Sequence, residues 1–323
     1  MEKIKVRFLG GHLATADNIW GGSIATTTAI VNAFKDDQEY DFKILTSREI
    51  KGVEQIEEFI KDADIVHIDE NVYLAQIFEQ EGFKLDVIGP TMRSPVKLYW
   101  IDAEKTTQWN CPFSTDWFYK HRVLRLNYQE EREKVLRYEY RDRGLNFTDK
   151  VDLVYHAINT EELKPSDNKK RKYILWAGDQ YRWAKNYQLF EEIMNITKLP
   201  EGYEFKVLSG YKVQDYWDIL DETAILINTS RYESFCCAMY EAQAKGVPTI
   251  YKNGMHGEDV HLNSRIQVEY TAEAYRDKIL ELLNDPLSLE EAGKYNRAYA
   301  ETFCSSKAMR DSFDKVYKEV LKK

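Results

Sequence analysis

The first half of the chain alternates short apolar runs with segments of helical periodicity. We expect strands at 5–9, 42–45, 64–68 and 85–88, and helices at 23–34, 53–60 and 72–78. The runs at the strand positions are rich in β-branched and aromatic residues, whereas the helical segments repeat their apolar residues every three or four positions. Strands that alternate with helices favour a parallel sheet with helices on both faces.

A polar stretch at 165–171 (PSDNKKR) interrupts this rhythm and predicts a linker. Before it, residues 99–150 are less regular, with a polar helix expected at 128–143 and a strand at 150–155. After it, a second series is expected, with strands at 173–176, 205–208, 224–227 and 248–251 and helices at 187–196, 213–220, 236–244, 272–283, 289–303 and 308–321. The two series predict an α/β protein of two Rossmann-like domains with a cleft between them.

Composition narrows the class of protein. Of 323 residues, 43% are hydrophobic and 13% aromatic, which is enough for folded cores and excludes intrinsic disorder. The net charge of −9 disfavours general binding to nucleic acid or anionic membrane. No apolar run reaches the ~18 residues of a membrane span, and the strand pattern begins without a signal peptide. The four cysteines suggest neither a disulfide framework nor a metal site, so we expect a reduced, cytoplasmic protein.

The candidate chemistry lies at 229–250 (TSRYESFCCAMYEAQAKGVPTI). Glu233 falls in a loop, and Glu241 lies about two turns into the helix that follows, so both carboxylates can meet one extended ligand. The backbone amides of Phe235, Cys236 and Cys237 open this helix, and the first N–H groups of a helix have no intrahelical acceptor. A helix start that points into a cleft is suited to a diphosphate.

This segment resembles the E-x7-E signature of the retaining glycosyltransferases of the GT-B fold, glycosyltransferase family 4. The residues that match are Ser230, Glu233, Phe235, Glu241, Ala242, Ala244, Gly246, Pro248 and Ile250. Two glycines of the usual motif are replaced by Ser234 and Cys236, which narrows the pocket expected for the sugar.

Weaker matches follow in the family's order. The segment from the strand end at Gly178 to Lys185 resembles the loop that binds donor phosphates. At the arginine position of that motif this chain has Asp179, and Arg182 is the nearest arginine. Gly21 and Gly22 resemble the N-terminal diglycine loop. His67 resembles the end of the "D-v-V-H" strand, and 154–165 resembles the segment that closes the first domain. The last helices resemble those that end in a helix crossing back to the first domain.

The resemblance implies domain boundaries and a role for each site residue. It implies an acceptor-binding domain at 1–165, a donor-binding domain at 166–305 and a terminal helix at 306–323. Glu241 would bind the ribose and Glu233 the sugar, while Arg182 and Lys185 would neutralise the diphosphate and His67 would orient acceptor or sugar. The other donor contacts would be Ser234, Phe235, Cys236, Cys237, Gly178, Gly210 and Gly22. No metal or other cofactor is required, because cations and backbone N–H groups stabilise the charge of the diphosphate. The leaving phosphate would take the acceptor's proton, so no protein nucleophile is needed.

Several residues also have purely structural interpretations. His67 can be a core histidine, Lys185 and Arg182 can be surface cations, and the diglycine can be a plain turn. The stretch 117–143 mixes basic and aromatic residues. It can be a solvated helix with i,i+4 ion pairs, or a surface for an anionic acceptor such as nucleic acid.

The predicted function is the transfer of a sugar from a nucleotide-sugar donor to a hydroxyl acceptor. The expected donor is a UDP-sugar. The acceptor is a glycan, a lipid-linked or small molecule, or DNA with hydroxymethylated bases, as in the phage α-glucosyltransferases that 246–258 resembles. The resemblance of 246–258 to the phage enzymes, together with the low glycine count, suggests a phage protein in the host cytoplasm. A monomer or homodimer is expected without integral membrane association. The alternative of another class is a non-catalytic protein that binds nucleotide sugars.

Overall fold

The computed structural model describes residues 2–9, 13, 22–46, 48–69, 87–92, 122–125, 151–153, 157–166, 171–231, 236–253 and 266–321. These residues fall into two compact units. The first contains the described residues up to Ala157, apart from Gly22, together with the last helix, and the second contains Gly22 and the described residues from Ile158 to Ser305.

The first unit is built on a six-stranded parallel sheet in the order β2-β1-β3-β4-β5-β6. The strands are β1 (Ile4–Leu9), β2 (Tyr40–Leu45), β3 (Ile65–Asp69), β4 (Val87–Met92), β5 (Arg122–Arg125) and β6 (Val151–Leu153). Between these strands, the described residues form the helices α1 (Gly22–Ala33) and α2 (Val53–Ile60).

Strand β1 shows why this sheet is covered on both faces. Val6 and Phe8 point to one side and pack with α1, whereas Leu9 points to the other and packs with Ile56 of α2. All three side chains are fully buried. Successive side chains of a strand point to opposite faces, so a strand buried on both needs helices above and below. This confirms the predicted doubly wound arrangement for the unit.

The second unit has a five-stranded parallel sheet in the order β11-β10-β9-β7-β8. The strands are β7 (Tyr173–Ala177), β8 (Glu204–Leu208), β9 (Thr223–Ile227), β10 (Thr249–Lys252) and β11 (Gln267–Val268). The helices are α3 (Tyr187–Ile196), α4 (Val213–Leu220), α5 (Cys237–Ala244), α6 (Ala272–Asn284) and α7 (Pro286–Phe303). Every residue of β9 is buried, as expected for a central strand.

The last helix, α8 (Ser306–Leu321), packs on the first unit, as the fold class predicted. Phe313 and Tyr317 lie in the same core cluster as Phe8 of β1. Arg310 adds ion pairs of 2.9 Å to Asp37 and to Glu39. The helix therefore completes the core that β1 and α1 begin.

Element boundaries differ from the prediction at several places. β4 lies two residues later than expected, and β5 and β11 were not predicted at all. Helix α7 begins three residues earlier, because Asp285 accepts hydrogen bonds from the amides of Leu287 and Ser288 and Pro286 occupies the first helical position. The helices expected at 72–78 and 128–143 lie outside the described residues. In the described ranges, no helix is long and apolar enough to cross a membrane.

Candidate active site

The strand order locates a site on the second unit. The chain leaves β7 towards β8 on one side and later returns to β9 on the other. Ligands of doubly wound sheets bind at such a switch point, outside the carboxyl ends of the strands. A depression of about 250 Å³, open solvent included, lies there. Its lining is Trp176, Ala177, Lys185, Leu226, Ile227, Asn228, Ser230, Cys236, Ala238 and Met239.

The loop after β7 begins at Gly178 and brings Lys185 to this depression. A Cβ at Gly178 would lie 3.2 Å from the Trp176 ring and 3.6 Å from Lys185 Cγ, so glycine keeps the two close. A single 3-10 turn, Trp183–Lys185, ends at Asn186 in the left-handed region (φ 47°). The Thr229 hydroxyl then donates to the Lys185 carbonyl at 2.9 Å, which ties the turn to the end of β9.

Arg182 and Asp179 have different positions from Lys185. Asp179 Oδ1 accepts from the Tyr181 amide at 3.0 Å, and its carbonyl accepts from the Arg182 amide at 3.1 Å. The aspartate at the motif's arginine position therefore closes a turn. Arg182 is exposed and does not line the depression.

The segment after β9 forms the floor of the depression through Asn228. Its Oδ1 accepts from the Ser230 amide at 2.8 Å, and its Nδ2 lies 3.2 Å from Cys236 Sγ. Its carbonyl accepts from the Tyr275 hydroxyl at 2.7 Å. These contacts hold Ser230 and Cys236 together at the start of α5, although Glu233, Ser234 and Phe235 themselves lie outside the described residues.

Helix α5 presents its first turn to the depression. Cys236 is the N-cap residue and is buried, and Cys237 is half-buried in the first helical position. Ala238 and Met239 line the depression, and Met239 to Ala244 are all buried. A helix buried around its circumference is held by packing, which fixes the direction of its N-terminus. The side chain of Cys236 also lines the depression.

Glu241 lies one turn beyond Ala238 on the same face of α5. It is 2% exposed, and its Oε1 accepts from Trp217 Nε1 of α4 at 3.3 Å. Burial raises the pKa of the Tyr211 hydroxyl, the Glu241 charge adds to the rise, and the Lys185 charge opposes it. The charges of Glu241 in α5 and of Lys185 in the loop after β7 therefore both act on the Tyr211 hydroxyl.

Tyr216 fixes the neighbouring helix α4. Its hydroxyl donates to the Ala238 carbonyl, and its ring stacks on that of Tyr211 with centroids 5.2 Å apart. Lys245 at the end of α5 also pairs with Asp221 at the end of α4, at 2.7 Å. Because α4 and α5 are joined at both ends, Trp217 is held against Glu241.

The two remaining predicted glycines, Gly210 and Gly22, lie in a loop and at a helix start. Gly210 has φ +63° and open space around its Cβ position, so its conformation, and not a close contact, explains the glycine. It adjoins Tyr211 in the loop after β8. Gly22 is the first residue of α1 in the first unit's sequence series, and Gly21 lies outside the described residues.

His67 lies in the core of the first unit. It is fully buried in the middle of β3, and its Nδ1 is 2.8 Å from the Tyr317 hydroxyl. The ring of Phe8 meets it edge-on at 4.7 Å. Burial lowers the pKa of His67 to about 3, so the ring is neutral at physiological pH. The expectation that it faces a cleft came from its place near a strand end, but the return of α8 covers it.

Sequence reasoning missed Trp217, Tyr211, Asn228 and Arg231. Trp217 and Tyr211 belong to a helix and loop without a recognised motif, and only their position after β8, next to the switch point, could have drawn attention to them. Among the described residues, no group of three or more His, Cys, Asp or Glu side chains could hold a metal ion.

The match to a family of known proteins falls within the second unit. Residues 162–299 match the family "Glycosyl transferases group 1". No curated protein sequence matches the chain. The solved structures share the fold at low identity, 10–15% in the three that follow, and each alignment covers 99–100% of this chain and 100% of the other.

These three structures are a sucrose-phosphate synthase from Thermosynechococcus elongatus (TM-score 0.72, 13% identity), a glycosyltransferase from Rickettsia africae (0.68, 15%) and an α-glucosyltransferase in complex with UDP and a 13-mer DNA containing an HMU base (0.66, 10%). The chain has the GT-B fold that these structures share. Together, the fold and the family match support a GT-B glycosyltransferase.

Proposed function

We propose that the chain transfers a sugar from a UDP-sugar to a hydroxyl acceptor with retention of the anomeric configuration. One observation carries the proposal: Lys185 and the first turn of α5 line the depression at the switch point between β7 and β9, and Glu241 lies one turn further along α5. A cation, a helix N-terminus and a carboxylate in that order suit the diphosphate and ribose of a nucleotide.

The donor's diphosphate would lie between Lys185 and the amides of Cys236 and Cys237. The Lys185 ammonium supplies a positive charge, and the helix start supplies N–H groups with the favourable end of the helix dipole. Glu241 would accept hydrogen bonds from the ribose hydroxyls. The N–H of Trp217 takes up part of its acceptor capacity and sets the plane of the carboxylate.

The chemical step breaks the bond between the sugar's anomeric carbon and the diphosphate oxygen. The electron pair stays with the diphosphate, and the sugar becomes oxocarbenium-like. Preorganised cations and N–H groups stabilise the growing negative charge, each worth about 3 kcal/mol in the transition state. The acceptor oxygen then bonds to the same face, and its proton passes to the leaving phosphate. By the resemblance, Glu233 holds the sugar hydroxyls.

In this proposal the donor domain is 166–305, the acceptor domain is 1–165 and the helix 306–323 belongs with the latter. Within the part of the chain that the structure describes, Cys236, Cys237 and Cys304 form no disulfide, which suits a cytoplasmic enzyme. His67 takes no part in the chemistry, because it is sealed in the core.

A second acceptor class is DNA that carries hydroxymethylated bases. The structural neighbour bound to UDP and HMU-containing DNA favours it. If DNA is the acceptor, binding to duplex DNA will weaken steeply with salt, because each phosphate contact releases a counterion. A glycan or small-molecule acceptor will leave duplex binding weak at all salt concentrations.

The test starts with a thermal-shift screen of nucleotide sugars, since a donor stabilises the protein by mass action. The stabilising donor is then incubated with acceptors, and NMR identifies the product and its anomeric configuration. Glu241→Gln should lose donor stabilisation, while Glu281→Gln on the exposed face of α6 should keep it. Inversion of the anomeric centre would contradict the retaining mechanism. Binding without turnover would favour a non-catalytic protein.

A further inference from the structure

Arg231 is joined to the loop that carries Lys185. Its backbone amide donates to the Ala184 carbonyl at 2.7 Å, and its Nη2 donates to Asn186 Oδ1 at 2.8 Å. The two acceptors flank Lys185 in the sequence, and Arg231 itself follows Ser230 of the lining. Its guanidinium is therefore held close to a cation that already faces the site.

The guanidinium of Arg231 is oriented but not neutralised. Its Cζ lies 4.9 Å from the centroid of the Trp183 ring, a cation–π distance. Its Nε is buried without a hydrogen-bond partner. Across the described ranges, no carboxylate is paired with Arg231. Buried charges in proteins are normally paired, so this guanidinium is suited to receive an anion.

Lys252 brings a further cation to the same place. Its Nζ lies 5.0 Å from the Tyr270 ring. The Tyr270 hydroxyl accepts from Asn186 Nδ2 at 2.6 Å and donates to the Thr229 carbonyl at 2.7 Å. Asn186 thus connects the supports of both cations. Burial lowers the pKa of Lys252, and the nearby charge of Arg231 lowers it further.

We propose that Arg231 and Lys252, beside Lys185, bind the diphosphate of the nucleotide donor. The guanidinium fork matches two phosphate oxygens, and an anion between the cations removes their repulsion. Arg231 then supplies the charge that the sequence assigned to Arg182. This inference rests on the proposed function, since it names a phosphate ligand for the same site.

The test compares ligands that differ only in phosphate. Affinities of uridine and UDP are measured by ligand-observed NMR and calorimetry for the wild type, Arg231→Gln, Arg231→Lys and Lys252→Met. Arg276→Gln, which removes the same charge from the exposed face of α6, is the matched control. We expect Arg231→Gln to weaken UDP about tenfold or more and to leave uridine unchanged, because it removes a charge-assisted hydrogen bond. Arg231→Lys should restore part of the loss, and Lys252→Met should weaken UDP less.

The outcomes separate the two claims. Equal weakening of UDP and uridine by Arg231→Gln would show that Arg231 only shapes the loop, and would overturn the inference. Unchanged UDP affinity in Arg231→Gln and Lys252→Met would also overturn it while leaving the proposed function intact. A wild-type protein that binds neither UDP nor uridine would overturn the proposed function as well.

Discussion

The two units share a strand order but use their buried polar groups differently. In each sheet the chain switches sides at its first strand, β1 or β7. In the first unit, His67 of β3 points to a face that the aromatic side chains of α8 cover. In the second unit, Asn228 lies just past the end of β9 and holds the walls of an open depression. The same topology therefore gives a sealed core in one case and a site in the other.

The difference comes from the position of the polar residue along the strand. A side chain in the middle of a strand meets the helix packed on that face, whereas a residue just past the carboxyl end of a strand can face a ligand site. His67 has two strand residues after it, and Asn228 has none. Polar type alone does not indicate function, and the site residues of the second unit come from strand ends, loops, helix α4 and the first turns of α5.

The largest effect that sharpens this contrast is expected at Lys185. Lys185→Gln removes the cation that faces the depression, and we expect kcat/KM for the donor to fall about 100-fold or more. Lys198→Gln, an exposed position after α3, is the control and should change kcat/KM little. Steady-state kinetics with both variants measures the effect. A Lys185→Gln enzyme with normal kcat/KM would remove the depression from the reaction.

A smaller effect is expected at Trp217. Trp217→Phe keeps the ring but loses the N–H that contacts Glu241, so the carboxylate is less well oriented for the ribose. We expect the donor KM to rise about tenfold with little change in kcat, the cost of one hydrogen bond to a charged group. The control ligand is a donor that lacks the ribose hydroxyls, for which wild type and variant should be equal. Equal KM values for the natural donor would assign Trp217 to packing alone.

Much of the second unit could be predicted from the sequence, and less of the first. The β7 to β10 segments have short, continuous apolar runs ended by Gly or polar residues, so their type and order followed directly. Glu241 was assigned to the site from the E-x7-E segment and Lys185 from the weaker match after β7, and their joint role stays a prediction. The contact between Trp217 and Glu241 spans 24 residues and depends on how α4 packs on α5, which no local pattern encodes.

His67 shows why burial was hard to predict. Its partner Tyr317 is 250 residues away in sequence. The amphipathic pattern of helix α8 indicates that one of its faces is buried, but not which element covers that face. Arg231 was missed for a similar reason. Its surroundings are assembled from the loop after β7, the end of β9 and the end of β10.

The pH dependence of the free energy of unfolding tests whether His67 is sealed in the core of the first unit. Burial lowers the pKa of His67 to about 3, so the unfolded chain, with an ordinary histidine pKa, binds a proton that the folded chain does not. The contribution of His67 is therefore fully present above the unfolded pKa of about 6.5 and is lost as the pH falls towards 3. We expect a slope of about 1.4 kcal/mol per pH unit from this one group below pH 6.

His67→Gln keeps a hydrogen-bonding group for Tyr317 and removes the titration. Urea unfolding at pH 7.5 and 5.5 should show a larger loss of unfolding free energy for the wild type than for this variant. Identical losses would mean that His67 gains its proton in the folded state, and the core would not be sealed.

The smallest effect is expected at Gly210, next to the open site. Its φ of +63° disfavours a side chain, but a Cβ there would meet nothing within 4 Å. Gly210→Ala should therefore cost only the backbone term, about 1 kcal/mol. Gly293→Ala in α7 is the contrasting variant, because its Cβ would lie 2.5 Å from the Gly246 carbonyl oxygen and must displace backbone. In urea unfolding, Gly293→Ala should lower the free energy of unfolding more than Gly210→Ala does. The reverse order would show that the loop at Gly210 is as tightly packed as the core. The contrast between the buried region and the loop would then fail.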